Sequence, residues 1–275
     1  MKLILSLFFF TIATQISAGG KLIGTSGVTQ VEGSAGGGLV PWATLAGYGT
    51  RDEQGASAFF SAVTVDDFRM SAYGVAFSYH DRIEASIAHQ KFQSDDKSIR
   101  LSQNVLGLKI RLFGDLVYTE WPQVALGMQY KNATNLSLIK SIGGEGEHGT
   151  DFYLAATKAW LDGPFHHNFV LNTTLRYSKA NQLGLQGFGG DKRNRHSWLL
   201  ESSLGLFINR NWVFGVEYRQ KPDNLSALKE DDWKNLFITH LPNKAFSVTA
   251  ALVDLGQLGG RNDQSGAYLS LQLIY

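Results

Sequence analysis

The sequence predicts an all-β fold, an antiparallel transmembrane β-barrel of about 12 to 14 strands, preceded by an export signal. Three observations predict it. Apolar and polar residues alternate over runs of about 9–12 residues, the length that crosses a bilayer at the tilt of a barrel strand. The connectors between runs alternate between long and short across the C-terminal half. Beyond the leader, no stretch approaches the roughly 20 apolar residues that a membrane-spanning helix requires.

The leader is MKLILSLFFFTIATQISA, residues 1–18. Lys2 supplies a positive start, Leu3 to Ile12 an apolar core, and Ala18 a small residue for cleavage, so residues 19–275 are expected to form the mature barrel. Of 25 basic residues, removal of Lys2 leaves 24 against 24 acidic ones, so that part is formally neutral. Neutrality argues against a nucleic-acid binder. The chain has no cysteine, which excludes a disulfide scaffold, thiolate metal sites and cysteine catalysis. Five prolines, thirty glycines and many aromatic residues favour strands.

In chain order, residues 19–55 come first. Their glycines and Pro41 weaken them as ordinary strands, so they form either a first hairpin, with runs at 20–32 and 38–48, or a plug folded into the lumen. The hairpin gives fourteen strands and the plug gives twelve. Runs follow at 56–66, 68–79 and 83–92. In 104–114, Leu106, Leu108, Ile110 and Leu112 oppose Gly107, Lys109 and Arg111. In 123–131, Val124, Leu126, Met128 and Tyr130 oppose Gln129 and Lys131. The run at 150–161 has an irregular phase, with Lys158 on the face of Phe152, Leu154 and Trp160. The 168–178 run sets Leu171, Leu175 and Tyr177 against Asn172, Thr174 and Arg176, and Glu201 lies on the polar phase of 196–208. The 212–220 run sets Phe214, Val216 and Tyr218 against Glu217 and Arg219. Runs at 232–241 and 244–254 precede the last, 266–275, where Ala267, Leu269, Leu271, Leu273 and Tyr275 share one face.

Outer-membrane barrels have short periplasmic turns and longer outer loops. With the last strand ending on the periplasmic side, 241–243, 209–211 and 162–165 are the short turns, and 132–149, 179–195, 221–231 and 255–265 are the long loops. Toward the N-terminus the rule weakens at 114–120 and at Asp66–Asp67. The same topology puts Trp121, Trp160 and Trp212 at periplasmic strand ends and Trp42, Trp198 and Trp233 near outer ones, which reads as two interfacial girdles. The Leu269, Leu271, Leu273 and Tyr275 stripe faces lipid. Its terminal aromatic resembles the recognition signal of the barrel-assembly machinery.

GGGLVPWATLAGYGTRDEQGA (36–56), VDDFRMSAYGVA (65–76), GTDFYLAATKAW (149–160), SKANQLGLQGFGGD (178–191), EYRQKPDNL (217–225) and EDDWKN (230–235) together resemble the bacterial domain-of-unknown-function family 3034. The resemblance implies the outer membrane of a Gram-negative bacterium. It implies no activity and assigns no site residues.

Candidate chemistry is sparse. His148, His196 and Ser197 fall on the outer side, but neighbours in a strand point to opposite faces, so His196 cannot serve Ser197. His89, His166, His167 and His240 are scattered. No catalytic residues are expected, and no cofactor. The cluster Glu145, Glu147, His148 and Asp151 lacks a calcium or zinc spacing and reads as solvated loop, so no metal site is assigned. Lys192, Arg193 and Arg195 on one outer loop read first as ordinary solvated charge, with lipopolysaccharide phosphates as the alternative partner. On the inward phase stand Lys109, Arg111, Arg176, Glu201, Glu217 and Arg219. Charges so placed either line a water-filled path for small solutes, the favoured reading, or pack as ion pairs that close the lumen. A closed barrel would act through outer loops that bind lipopolysaccharide or an envelope partner.

Overall fold

The computed structural model describes residues 19–163 and 166–275, and the leader assigned to residues 1–18 lies outside them. Twelve antiparallel strands close into one barrel. They are β1 (Gln54–Val65), β2 (Phe68–Tyr79), β3 (Ile83–Ser94), β4 (Arg100–Phe113), β5 (Gln123–Ala133) and β6 (His148–Trp160), followed by β7 (Asn168–Ser178), β8 (Ser197–Asn209), β9 (Trp212–Arg219), β10 (Trp233–Asn243), β11 (Phe246–Asp254) and β12 (Ser265–Ile274). Each strand pairs with its sequence neighbours, and β12 pairs back onto β1 with Leu269 opposite Ala62. The Tyr275 backbone finishes this seam by exchanging two hydrogen bonds of 2.8 Å with Ala56. Closure removes every free sheet edge, which a membrane interior requires.

The period-two pattern sets the faces. Leu106, Leu108, Ile110 and Leu112 of β4 are exposed on the outer surface, while Val105, Lys109 and Arg111 between them are buried. The same alternation continues round the barrel and ends with Leu269, Leu271, Leu273 and Tyr275, all exposed. These surfaces are solvated by lipid, so their apolar exposure is the mark of a barrel built for a membrane.

Both termini of the barrel, at Gln54 and Tyr275, lie at one end with connectors 80–82, 114–122, 210–211 and 244–245 and with residues 161–163 and 166–167. Connectors 134–147, 179–196, 220–232 and 255–264 lie at the other, which is the outer end by the loop-length rule. Lys158 finds its explanation here. It sits two residues from the periplasmic end of β6 and donates to the carbonyls of Val117 and Thr119 in the adjoining connector.

The fourteen-strand alternative is corrected. Residues 20–48 add no strand to the barrel and form only a two-residue ladder, Val28–Thr29 against Ala35–Gly36, with a bridge from Gly36 to Pro41. Ser26 to Gly49 are buried almost without interruption, and their partners are inward-facing side chains of the wall. Irregular backbone at this depth persists only where the protein itself satisfies its polar groups.

Candidate functional site

The site is the contact between the N-terminal segment and the inner wall. It is built on three charged anchors. The first centres on Glu32, whose carboxylate pairs with Lys131, with Arg219 at 2.8 Å and with Arg176 at 3.6 Å. Asp151 meets Lys131 at 2.6 Å and Arg176 at 3.3 Å, while Glu201 meets Arg176 at 2.5 Å and Arg219 at 3.2 Å. Three cations thus balance three acids, all buried. Two of the acids and all three cations belong to the wall, and the third acid arrives on the segment.

The second anchor is the pair Glu84–Lys109, 3.1 Å apart. Glu84 accepts from the backbone N–H groups of Ala35 and Ala46 at 3.2 and 2.8 Å, and Lys109 donates to the carbonyls of Ala35 and Thr44 at 2.9 and 2.7 Å. The third is Glu217, which among the described residues has no ion-pair partner. Its carboxylate accepts from the backbone N–H of Leu39 at 3.0 Å and of Val40 at 3.4 Å, and from Asn235 at 2.7 Å. Gly37 makes that reach possible, because a Cβ there would lie 1.9 Å from Glu217 Oε1. Neutral side chains complete the cradle: Gln123 donates to Ala43 O at 2.7 Å, Thr174 to Pro41 O at 2.7 Å and Gln90 to Val31 O at 2.7 Å.

All six inward charges singled out in the sequence face the interior, and five meet in these anchors. Arg111 stands apart near the periplasmic end, where it pairs with Asp81 and donates to Gly114 O at 2.6 Å. Asp81 also takes Lys21 of the segment at 2.6 Å. Sequence reasoning missed Glu32 and Glu84, and its reading of Asp151 as solvated loop is corrected, because that carboxylate is buried on a strand and paired with Lys131 and Arg176. Glu84 and Asp151 sit on the inward phase of β3 and β6, where the alternation points to them, whereas Glu32 lies in a glycine-rich stretch with no period.

The tryptophans need correction. Trp121, Trp160 and Trp212 are exposed at the periplasmic end and Trp198 at the outer end, as interfacial positions require. Trp42 and Trp233 are buried inside. Trp42 rides on the segment and donates from Nε1 to Ser203 at 3.0 Å, and Trp233 takes the inward phase of β10 beneath Lys221, whose ammonium lies 4.8 Å from its ring. The outer belt is instead filled by Tyr177, stacked on His196 at 4.8 Å and tilted against Trp198 at 4.8 Å. His196 donates from Nε2 to Thr150 O at 3.2 Å, so its ring serves the belt and not Ser197.

Outer loops fold over the mouth. Leu183 and Leu185 of connector 179–196 join the interior apolar cluster, and Asn224 donates to Asn181 at 2.9 Å. Lys192, read from sequence as a solvated loop cation, pairs with Asp223 across two connectors. Small cavities of 20, 30 and 60 Å3 lie beside the segment, the first of them lined mainly by apolar side chains. Among the described residues no group of three His, Asp or Glu side chains is placed to hold a metal.

A family model described as "Protein of unknown function (DUF3034)" matches residues 25–272. The chain belongs to the DUF3034 family. No curated protein matches this DUF3034 sequence. In fold, this member is similar to the KdgM porin, at 9% identity over 79% of this chain and 98% of that one, with a TM-score of 0.47. It is similar also to the outer membrane protein Omp33 of Acinetobacter baumannii, at 8% identity over 82% and 100%, with a TM-score of 0.49. An enzyme is among the similar folds, the outer membrane phospholipase A from Escherichia coli, at 6% identity over 79% and 92%, TM-score 0.39. Likeness at this level is one of fold alone. The DUF3034 chain folds as a closed, twelve-stranded antiparallel barrel.

Proposed function

We propose that this protein is a non-catalytic outer-membrane passage held closed at rest by its own N-terminal segment. Small solutes cross the charged lumen only when that segment is displaced. The observation that carries this reading is the wall's charge imbalance: Lys131, Arg176 and Arg219 face only Asp151 and Glu201 until Glu32 of the segment completes the set. A wall built to be permanently filled has no need to leave its neutralising acid on a separate stretch of chain. Once the segment leaves, Lys131, Arg176 and Arg219 line the open lumen together with Asp151, Glu201 and Glu217.

Planar-bilayer recording tests it. The intact folded chain is expected to be silent, and a chain lacking residues 30–43 to give stepwise currents. Steady conductance by the intact chain contradicts closure. Silence from both chains supports the other reading of the same closed interior, a structural barrel that works through the folded-over loops at its outer mouth.

A further inference from the structure

The outer wall of the barrel is not uniform. On β2, β3 and β4 the lipid-type face turns polar well below the outer ends of the strands. Arg69 and Ser71, then His89, Lys91 and Gln93, then Arg100 and Ser102 take the outward positions there. Register fixes their arrangement: Gln93 stands opposite Arg69 on one side and Arg100 on the other, and Lys91 lies two residues along. With strands about 4.8 Å apart and a rise of about 3.4 Å per residue, the three cations span a triangle with sides of roughly 8–10 Å. They border an open cleft of 430 Å3 with Ser71, Gln93 and Ser102.

The patch is only partly neutralised. Arg69 pairs with Asp95 at 3.0 Å, both side chains being exposed. Among the described residues Lys91 and Arg100 have no ion-pair partner. Directly toward the membrane lies a row with Tyr73 tilted against His89 at 5.4 Å, and below it Val75, Ile87 and Leu106 are exposed. Elsewhere the wall behaves differently. Tyr177, Trp198 and Leu200 carry aromatic and apolar surface up to the outer ends of β7 and β8, and the outward Lys234 of β10 stands opposite Asp254, its opposite in charge.

A cation cluster above an apolar stripe fits a molecule with an anionic head and hydrocarbon tails. We propose that Arg69, Lys91 and Arg100 hold the phosphate groups of lipopolysaccharide in the outer leaflet, with its acyl chains lying against Val75, Ile87 and Leu106. Two guanidinium groups and an ammonium suit phosphate oxygens through charge-assisted, partly bidentate hydrogen bonds. The site is on the barrel wall, away from the loops, and stands whether or not the lumen conducts.

Native mass spectrometry of the folded full chain, titrated with bisphosphorylated lipid A, tests the proposal. Retained lipid A adducts are expected, weakened about tenfold or more in the triple variant Arg69→Gln, Lys91→Gln, Arg100→Gln. Heat-modifiable migration confirms that the triple variant is folded, and Lys234→Gln on the far wall is expected to bind as the parent does. Equal binding by parent and triple variant overturns the proposal. So does inorganic pyrophosphate binding as tightly as lipid A, which assigns the patch to a free phosphate. A self-association that the triple variant alone loses, without any change in lipid A binding, makes the patch a protein contact and overturns it too.

Discussion

Glu32 brings one carboxylate to a wall that carries Lys131, Arg176 and Arg219 against Asp151 and Glu201. Removing one member of a buried ion network leaves an uncompensated charge in low dielectric, at a cost of about 3–5 kcal/mol. Glu32→Gln is therefore expected to lower the thermal unfolding midpoint clearly while the barrel still folds, read by circular dichroism and heat-modifiable migration. An unchanged midpoint would show that water already reaches the cations. Gly37→Ala probes the neighbouring anchor, since its Cβ would displace the Glu217 carboxylate from the N–H groups of Leu39 and Val40. Its expected signature is faster amide exchange at residues 37–41 with the strand amides unaltered. At this scale the sequence was legible where a period exists. The inward phase of Lys109, Arg176, Glu201, Glu217 and Arg219 follows from alternation alone. Trp42 and Trp233 did not, because a tryptophan with a buried hydrogen-bond or cation partner looks the same in sequence as one that sits at an interface.

At the scale of elements, the strands were legible and the N-terminal segment was not. A strand's two faces meet two solvents, and the alternation records both. The segment meets wall on all sides, and its path is set by where Gln123, Thr174, Gln90 and Lys109 offer partners to its backbone. No local pattern encodes that, although the glycines and Pro41 mark a stretch that is not an ordinary strand. The loop cap has its own pH dependence. In connector 220–232, burial pushes Glu230 up to about 7 and pulls Lys221 down to about 8. Glu230, raised above the usual 4.5, contributes stability that is complete below that value and lost as pH rises through about 7. Lys221, lowered from 10.5, contributes stability that is present above that value and lost as pH falls through about 8. The cap is thus loosest between those two values, where both groups are charged. Amide exchange in 220–232, corrected for intrinsic rate, is expected to slow as pH falls from 7.5 to 5. Glu230→Gln is expected to abolish that trend, and a trend that survives the substitution would place its source elsewhere.

For the whole molecule, one design principle covers outside and inside. Most of the lipid face is apolar because nothing there needs a partner, and the interior mixes an apolar cluster with polar and charged side chains that satisfy an irregular chain. The N-terminal segment sits inside the closed barrel. The chain's lack of cysteine allows a direct test. Thr29 of the segment and Ser57 of β1 bring their hydroxyls to 3.4 Å, close enough for a disulfide between cysteines at the same two positions. The measurement is the reductant-sensitive gel mobility of the folded double variant Thr29→Cys, Ser57→Cys, oxidised in intact outer membranes. Near-complete cross-linking is the predicted result. Two free thiols in a barrel that still shows heat-modifiable migration would contradict the account.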